Sequence, residues 1–455
     1  MNRIAGRAVI TLLLALVLIS GFSFFVAEFV TEADQWAVFS GSPHVYNGDN
    51  INCGVVVDRD NILLADLRGD RVYSTSESLR KATVHWLGDR YGSISAPAIS
   101  HYAQQIAGYD LLSGVYSYEG ACGVVELTFS GKVQQAALEA LGDRKGTVAV
   151  YNYKTGQFLC AVTTPTYDPD HVPDLSGDTT GKYEGMYVNR FIQSTYIPGS
   201  IFKIVTLAAA LETIPDIQER SFFCSGSYEV DGEKITCEVT HGEQSLKNAF
   251  RNSCNCAFAQ IAIELGGVKL ARYAEQLGVT ERITFDGITT AAGNFEAAKA
   301  AVNVAWSGVG QYNDLINPCA YLTFMGAVAG GGQGAKPYLV ERITVGDNET
   351  YQAEIQTGDK ILSETTVQIL QEYLRNNVSS LYGDGNFPGL TVCAKTGTAQ
   401  VGGEQKPNAM LTGFCTDAEY PLAFIVCVEN AGYGSTVCIP IASKVLSACK
   451  EVLDN

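Results

Sequence analysis

The run from residue 8 to residue 27 divides this chain into two environments. It carries no charge, with Arg3 and Arg7 before it and Glu28, Glu32 and Asp34 after it. At about 1.5 Å per residue, some 20 residues match the roughly 30 Å hydrocarbon core of a bilayer. Cations before and anions after place the N-terminus in the cytoplasm and the rest of the chain outside. A cleaved signal peptide has a shorter apolar region, about 7–15 residues, and ends in a small-residue site of the A-x-A kind. No clean site of that kind stands after this run, so the expectation is a retained anchor.

The remainder of the 455-residue chain is long enough for one or two further domains. The net charge of -17 disfavours nucleic acid as a partner, because phosphate contacts need a basic face. An anionic substrate must then be held by individually placed lysines. Thirteen cysteines are an odd number. Outside a membrane, pairing is possible. Cys224 and Cys237 bracket a turn-rich segment and are the best candidates for a disulfide. Cys160, Cys393, Cys427 and Cys449 sit in apolar runs and read as small buried hydrophobes. Cys254 and Cys256 lack a second ligand pair at finger-like spacing, so no zinc is expected. His44, His85, His101, His171 and His241 show no ligand spacing, and His241 reads as structural.

Residues 29–124 are rich in Gly and Tyr, with a strand, turn and strand expected over 55–64. Helical character appears over 127–141. A hairpin comes next, with strands at 146–152 and 158–162 joined by the turn Lys154-Thr155-Gly156. Helices alternate with loops over 240–335. Strands return at 390–394, 410–415 and 422–429, and an amphipathic helix closes the chain over 439–453. Helices between two groups of strands predict an α+β domain with an antiparallel sheet. The boundaries read 1–7 for the cytoplasmic tail, 8–28 for the anchor, 29–144 for a small mainly-β pedestal and 145–455 for the catalytic domain.

Three short motifs stand in order within that last segment: Ser200-Ile201-Phe202-Lys203, Ser253-Cys254-Asn255 and Lys395-Thr396-Gly397-Thr398. The order, rather than any single motif, carries the signal. A second S-x-x-K at Ser78 to Lys81 lies in a charged stretch and reads as a solvated face. Pro198-Gly199 lead into an alanine-rich apolar helix, so Ser200 falls at its first turn with Lys203 on the same face. A serine needs activation, and a buried lysine can lose its proton to supply it. Ser253 and Asn255 can relay a proton and hold a substrate amide. Lys395, Thr396 and Thr398 suit a substrate carboxylate, while Gly397 lets a ligand backbone approach. The backbone N–H groups of Ser200 and Thr398 are candidates for an oxyanion hole.

On these residues the chain resembles the class B high-molecular-weight penicillin-binding proteins, monofunctional peptidoglycan D,D-transpeptidases. Tyr196-Ile197-Pro198-Gly199-Ser200-Ile201-Phe202-Lys203 is similar to the family's Y-x-P-G-S-x-F-K. Residues 54–66 resemble its N-terminal G-x-I-x-D-R-N-G-x-x-L-A element, with Asn61 where glycine usually stands. Leu127-Thr128 with Gln134, Gly310-Gln311, Phe414 and Glu429-Asn430 match further family segments. The resemblance implies a penicillin-binding transpeptidase fold, of the serine β-lactamase kind, behind the anchor and pedestal. It implies catalytic roles for Ser200, Lys203, Ser253, Asn255 and Lys395. It implies substrate contacts at Thr396, Gly397 and Thr398, with no cofactor and no metal. The implied substrate is a stem peptide ending in D-Ala-D-Ala, and β-lactams are the implied inhibitors. Since no glycosyltransferase domain is visible, a membrane glycosyltransferase and other wall-synthesis proteins are the implied partners.

Two other readings stay open on sequence alone. One is a D,D-carboxypeptidase or β-lactamase of the same fold, which differs only in how fast water deacylates the enzyme. The other is a non-catalytic wall scaffold or β-lactam sensor.

Overall fold

A computed structural model of the chain describes residues 2–454 apart from 40, 44, 48–49, 111–113 and 117–121. His44 therefore lies outside the described residues. The helix Asn2–Ala37 contains the apolar run and extends past it at both ends. Over Ile4–Ala33 it is long and apolar enough to cross a membrane. Its leucines and phenylalanines point outward on all sides, as a helix without a polar face must present them.

Five strands form the central antiparallel sheet: β1 (Gly146–Asn152), β2 (Phe158–Thr164), β3 (Val392–Ala399), β4 (Asn408–Cys415) and β5 (Leu422–Val428). Their order is β2-β1-β5-β4-β3, which leaves β3 at an edge. These strands are mostly apolar and buried at nearly every position because both faces are covered. Successive side chains point to opposite faces. Val148 and Val150 pack with the helices Gly131–Leu141 and Gly434–Leu453, whereas Ala149 and Tyr151 pack toward Pro318–Ala329 and Lys203–Thr213. The second group of helices stands between the sheet and the middle of the chain, where the first two motifs lie.

A six-stranded sheet lies on the N-terminal side. Val55–Val57, Leu63–Asp66, Val72–Tyr73 and Val124–Leu127 come from the early chain. Val340–Val345 and Asn348–Gln352 complete it, and sequence analysis did not anticipate them. Asn61 stands in the turn after the first strand at φ 60°, a left-handed conformation that glycine or asparagine adopts most readily. This explains its tolerance at a glycine position. The helix Glu77–Leu87 fastens the region to the central sheet, where Trp86 Nε1 donates to Ala161 O of β2 at 2.7 Å. Nearby, Arg80 clasps Asp168 through two bonds, Nε to Oδ1 at 2.7 Å and Nη2 to Oδ2 at 2.6 Å.

Candidate active site

Ser200 lies in the short 3-10 turn Gly199–Phe202, which runs directly into the helix Lys203–Thr213. Close packing of backbone on backbone sets the position of this turn. Gly199 has φ +54°, and a Cβ there would stand 2.6 Å from Thr398 O. Gly310 leaves the room needed on the other side, since a Cβ there would fall 2.0 Å from Gly199 O. Gly199 N donates to Gly310 O at 2.8 Å, and Tyr321 O–H donates to Ile201 O at 2.7 Å. The turn is thereby pinned between edge strand β3 and the Gly310-Gln311 segment.

Lys203 is fully buried and gathers the first two motifs around its amine. Its Nζ lies 2.8 Å from Ser200 Oγ, 2.9 Å from Ser253 O, 3.1 Å from Ser253 Oγ and 2.7 Å from Asn255 Oδ1. Two of those oxygens can only accept: the Ser253 carbonyl and the Asn255 amide oxygen. The Asn255 amide is oriented by its other end, where Nδ2 donates to Thr236 O at 2.8 Å. A neutral amine has two N–H donors and one lone pair. With both donors committed, the lone pair is left for a serine hydroxyl. Burial favours that neutral form and pushes Lys203 down to about 8.

Ser253 occupies the loop between the helices Leu246–Arg251 and Asn255–Leu265, in the left-handed region at φ 52°. A non-glycine residue there is a strained position held by its surroundings. It turns the Ser253 carbonyl and hydroxyl toward the same amine. Ser253 Oγ also accepts from Lys395 Nζ at 3.0 Å, so one hydroxyl touches both lysines. Lys395 is held well below the usual lysine range, first by burial and then by the charge of Lys203.

Lys395, Thr396, Gly397 and Thr398 all lie on β3. Thr396 N donates to Tyr382 O–H at 3.1 Å, and the two side-chain oxygens lie 3.0 Å apart. That backbone N–H therefore points away from β4, toward the outer edge of the sheet, which Tyr382 covers at this position. By the alternation of an antiparallel ladder, the N–H of Thr398 faces the same way, beside the Ser200 turn. Gly397 keeps the crossing close, since a Cβ there would stand 3.0 Å from Ile201 Cγ2.

The two similar sequence motifs elsewhere are set apart by geometry. Ser78 is exposed on the helix Glu77–Leu87, and Lys81 pairs with Glu77 at 2.5 Å. Lys154 and Thr155 form the β1–β2 turn, where their N–H groups donate to Asn152 Oδ1.

Sequence reasoning missed three contributors: Thr236, Tyr382 and Tyr321. None stands near a motif in the chain, and each arrives through tertiary packing. One expectation needs correction. Cys224 and Cys237 are both free thiols, so the expected disulfide between them is not formed. Cys237 Sγ instead turns toward the second motif, lying 3.8 Å from Cys254 Sγ and accepting from Asn255 N at 3.1 Å. His241, expected to be merely structural, brings Nδ1 to 3.4 Å from Cys224 Sγ.

Residues 146–447 match the family model described as penicillin binding protein transpeptidase domain. The peptidoglycan D,D-transpeptidase PbpA of Mycobacterium tuberculosis is 26% identical over 358 residues, covering 72% of this chain and 73% of that protein. Stage V sporulation protein D of Bacillus subtilis is 28% identical over 350 residues, covering 71% of this chain and 52% of that protein. A solved ceftriaxone acyl-enzyme complex of penicillin-binding protein A from M. tuberculosis superposes with a TM-score of 0.75 at 24% identity, covering 87% of this chain and 98% of that one.

Proposed function

The chain belongs to the penicillin-binding protein transpeptidase family, and from that membership we propose how its residues carry out the reaction. The protein is a class B penicillin-binding protein and a serine-type peptidoglycan D,D-transpeptidase. In the proposed mechanism, Ser200 Oγ attacks the penultimate D-alanine carbonyl of a stem peptide while Lys203 Nζ takes the hydroxyl proton. The backbone N–H groups of Ser200 and Thr398 hold the oxyanion. Lys395, Thr396 and Thr398 hold the terminal carboxylate, and Gly397 lets the substrate backbone lie beside Thr398 at the outer edge of β3.

The amide C–N bond then breaks. The proton passes from Lys203, through Ser253 Oγ, to the departing D-alanine amine. The acyl group stays on Ser200 as an ester. An amine from a neighbouring stem peptide attacks that ester, gives its proton to the same relay and restores the Ser200 hydroxyl. One amide is exchanged for another, so the reaction requires no cofactor. A β-lactam enters the same first step, but its leaving nitrogen remains tethered in the opened ring and blocks the acceptor.

The observation that carries this reading is the buried Lys203 amine, 2.8 Å from Ser200 Oγ and held by Ser253 O and Asn255 Oδ1. The helix Asn2–Ala37 supports membrane anchoring, and its flanking charges favour a cytoplasmic N-terminus with the catalytic unit outside. We place the pedestal at 29–144, joined by the returning strands of 340–352, and the catalytic unit at 145–455. A structure of PBP2 with MreC from Helicobacter pylori shows one relative joined to another protein, and it matches this chain with a TM-score of 0.61. By analogy, wall-synthesis proteins, including a membrane glycosyltransferase, are the proposed partners here.

The test is a fluorescent penicillin applied to the detergent-solubilised protein and to Ser200→Ala. A long-lived label on wild type and none on the variant is the expected result. A label that forms and then vanishes within seconds would instead identify a hydrolase. No label on folded wild type would favour the scaffold.

A further inference from the structure

Four metal-ligating side chains converge beside the second motif, and the mechanism uses none of them. Cys224 ends the strand Ser221–Cys224, and Cys237 comes directly after the strand Glu233–Thr236. His241 precedes the strand Gly242–Ser245, and Cys254 is the middle residue of Ser253-Cys254-Asn255. Their three Sγ atoms and one imidazole nitrogen all lie within 4.8 Å of one another. A tetrahedral zinc ion with Zn–S of about 2.3 Å and Zn–N of about 2.0 Å has S–S edges of about 3.8 Å and S–N edges of about 3.5 Å. The corresponding separations are 3.8 Å for Cys237 with Cys254 and 3.4 Å for Cys224 with His241.

Backbone N–H groups point at two of the three sulfurs. Cys237 Sγ accepts from the backbone N–H of Asn255 at 3.1 Å and of Cys256 at 3.4 Å, and Cys224 Sγ accepts from Gly226 N at 3.4 Å. Bonds of this kind stabilise a metal-bound sulfur. Three cysteine sulfurs and one imidazole at tetrahedral spacing form one of the ligand sets of structural zinc. We propose that Cys224, Cys237, His241 and Cys254 bind one structural zinc ion, which fixes the Ser253-Cys254-Asn255 loop against Lys203.

The ligands also sit beside the residues that surround Lys203 Nζ. Cys254 lies between Ser253 and Asn255, which supply three of the four oxygens around Lys203 Nζ. Cys237 immediately succeeds Thr236, whose carbonyl orients the Asn255 amide. The ion would therefore tie both supports of Asn255 to one point. It would also hold Ser253 in its left-handed conformation. Metal binding stands on these ligands alone, while its effect on acylation rests on the transpeptidase reading.

The experiment uses the full chain without a histidine tag, purified in detergent under reducing conditions. Elemental analysis should find about one zinc per chain. Cys224→Ser and His241→Ala should lose it, and Cys256→Ser should keep it. Cobalt(II) exchanged into wild type should give the intense visible bands of a tetrahedral, thiolate-rich site, a readout that needs no variant to fold. Removing zinc with a chelator should slow labelling by fluorescent penicillin at least tenfold, and restored zinc should reverse the loss. Zinc below about 0.2 per chain after exposure to micromolar zinc overturns the site, as does an octahedral cobalt spectrum. A Cys224–Cys237 disulfide in protein kept reduced overturns it too. Full zinc occupancy with no change in labelling on removal would keep the site and overturn its positioning role.

Discussion

Asn255 Nδ2 donates to Thr236 O at 2.8 Å, and this bond decides what Asn255 offers to the lysine beside it. With the amide nitrogen committed to a hairpin carbonyl, Oδ1 must face Lys203 Nζ, 2.7 Å away. Asn255→Asp removes the donor and places a carboxylate at the same point. The carboxylate faces the Thr236 carbonyl unfavourably and holds Lys203 protonated, because a nearby anion favours the charged ammonium. General-base assistance contributes about 10²- to 10⁴-fold. The second-order rate of penicillin acylation should therefore fall at least tenfold at pH 7, and its rise with pH should shift to higher pH. Equal rates and equal pH profiles in the two proteins would contradict the role given to Asn255.

Gly199 bears on the nucleophile in a different way. A Cβ at this position meets the backbone of Thr398 at 2.6 Å, and φ +54° is unfavourable for alanine. No flexible side-chain end is available to yield. Gly199→Ala should displace the Ser200 turn from β3 and separate Ser200 N from Thr398 N. The expected cost is about 1–3 kcal/mol of stability, with acylation reduced by two orders of magnitude or more. Thermal melting and the labelling rate check the two parts separately.

These two residues also mark what could be read from the chain. The Ser200-to-Lys203 relationship was legible because spacing of three places residues on one helical face. The apolar strands near residues 146, 410 and 422 were legible from their runs of branched and aromatic side chains. Thr236, by contrast, reaches Asn255 from a hairpin 19 residues upstream, and no local period encodes that approach. The cysteine cluster was hidden for the same reason. Its four donors lie on four separate segments, so no finger-like spacing appears. Tyr382 and the strands Val340–Val345 and Asn348–Gln352 complete structures that begin elsewhere in the chain, and pairing across such distances leaves little sequence trace.

The Arg80–Asp168 clasp makes acid stability testable. Both side chains are nearly buried, with 10% and 5% exposure. Arg80 first, with help from His171, holds the Asp168 carboxyl well below its ordinary value of 3.8. A depressed carboxyl contributes stability above its unfolded value and loses it as pH falls toward the folded one. Arg80→Ala leaves a buried carboxylate without its main partner and should cost about 2–4 kcal/mol at pH 7. The gap between variant and wild type should narrow below pH 4. Urea unfolding at pH 7 and pH 3 measures both effects, and a gap that widened in acid would contradict the assignment.

Asp314 should act in the opposite direction. It is 1% exposed, and neither carboxylate oxygen has a hydrogen-bond partner among the described residues. Burial pushes its carboxyl up to about 9, outweighing a lowering influence from Ser307, while the charge of Glu296 adds to the rise. The folded chain therefore keeps a proton that the unfolded chain releases near 3.8. Folding stability is fully present below that value and declines as pH rises toward about 9. One proton sets an upper limit of about 1.4 kcal/mol per pH unit across this window. Asp314→Asn removes the titration while nearly conserving shape. Its advantage over wild type should grow steadily from pH 5 to pH 9, read as the difference in melting temperature. A difference independent of pH would mean that Asp314 is already ionised in the folded protein, and that a cation or ordered water meets its two oxygens.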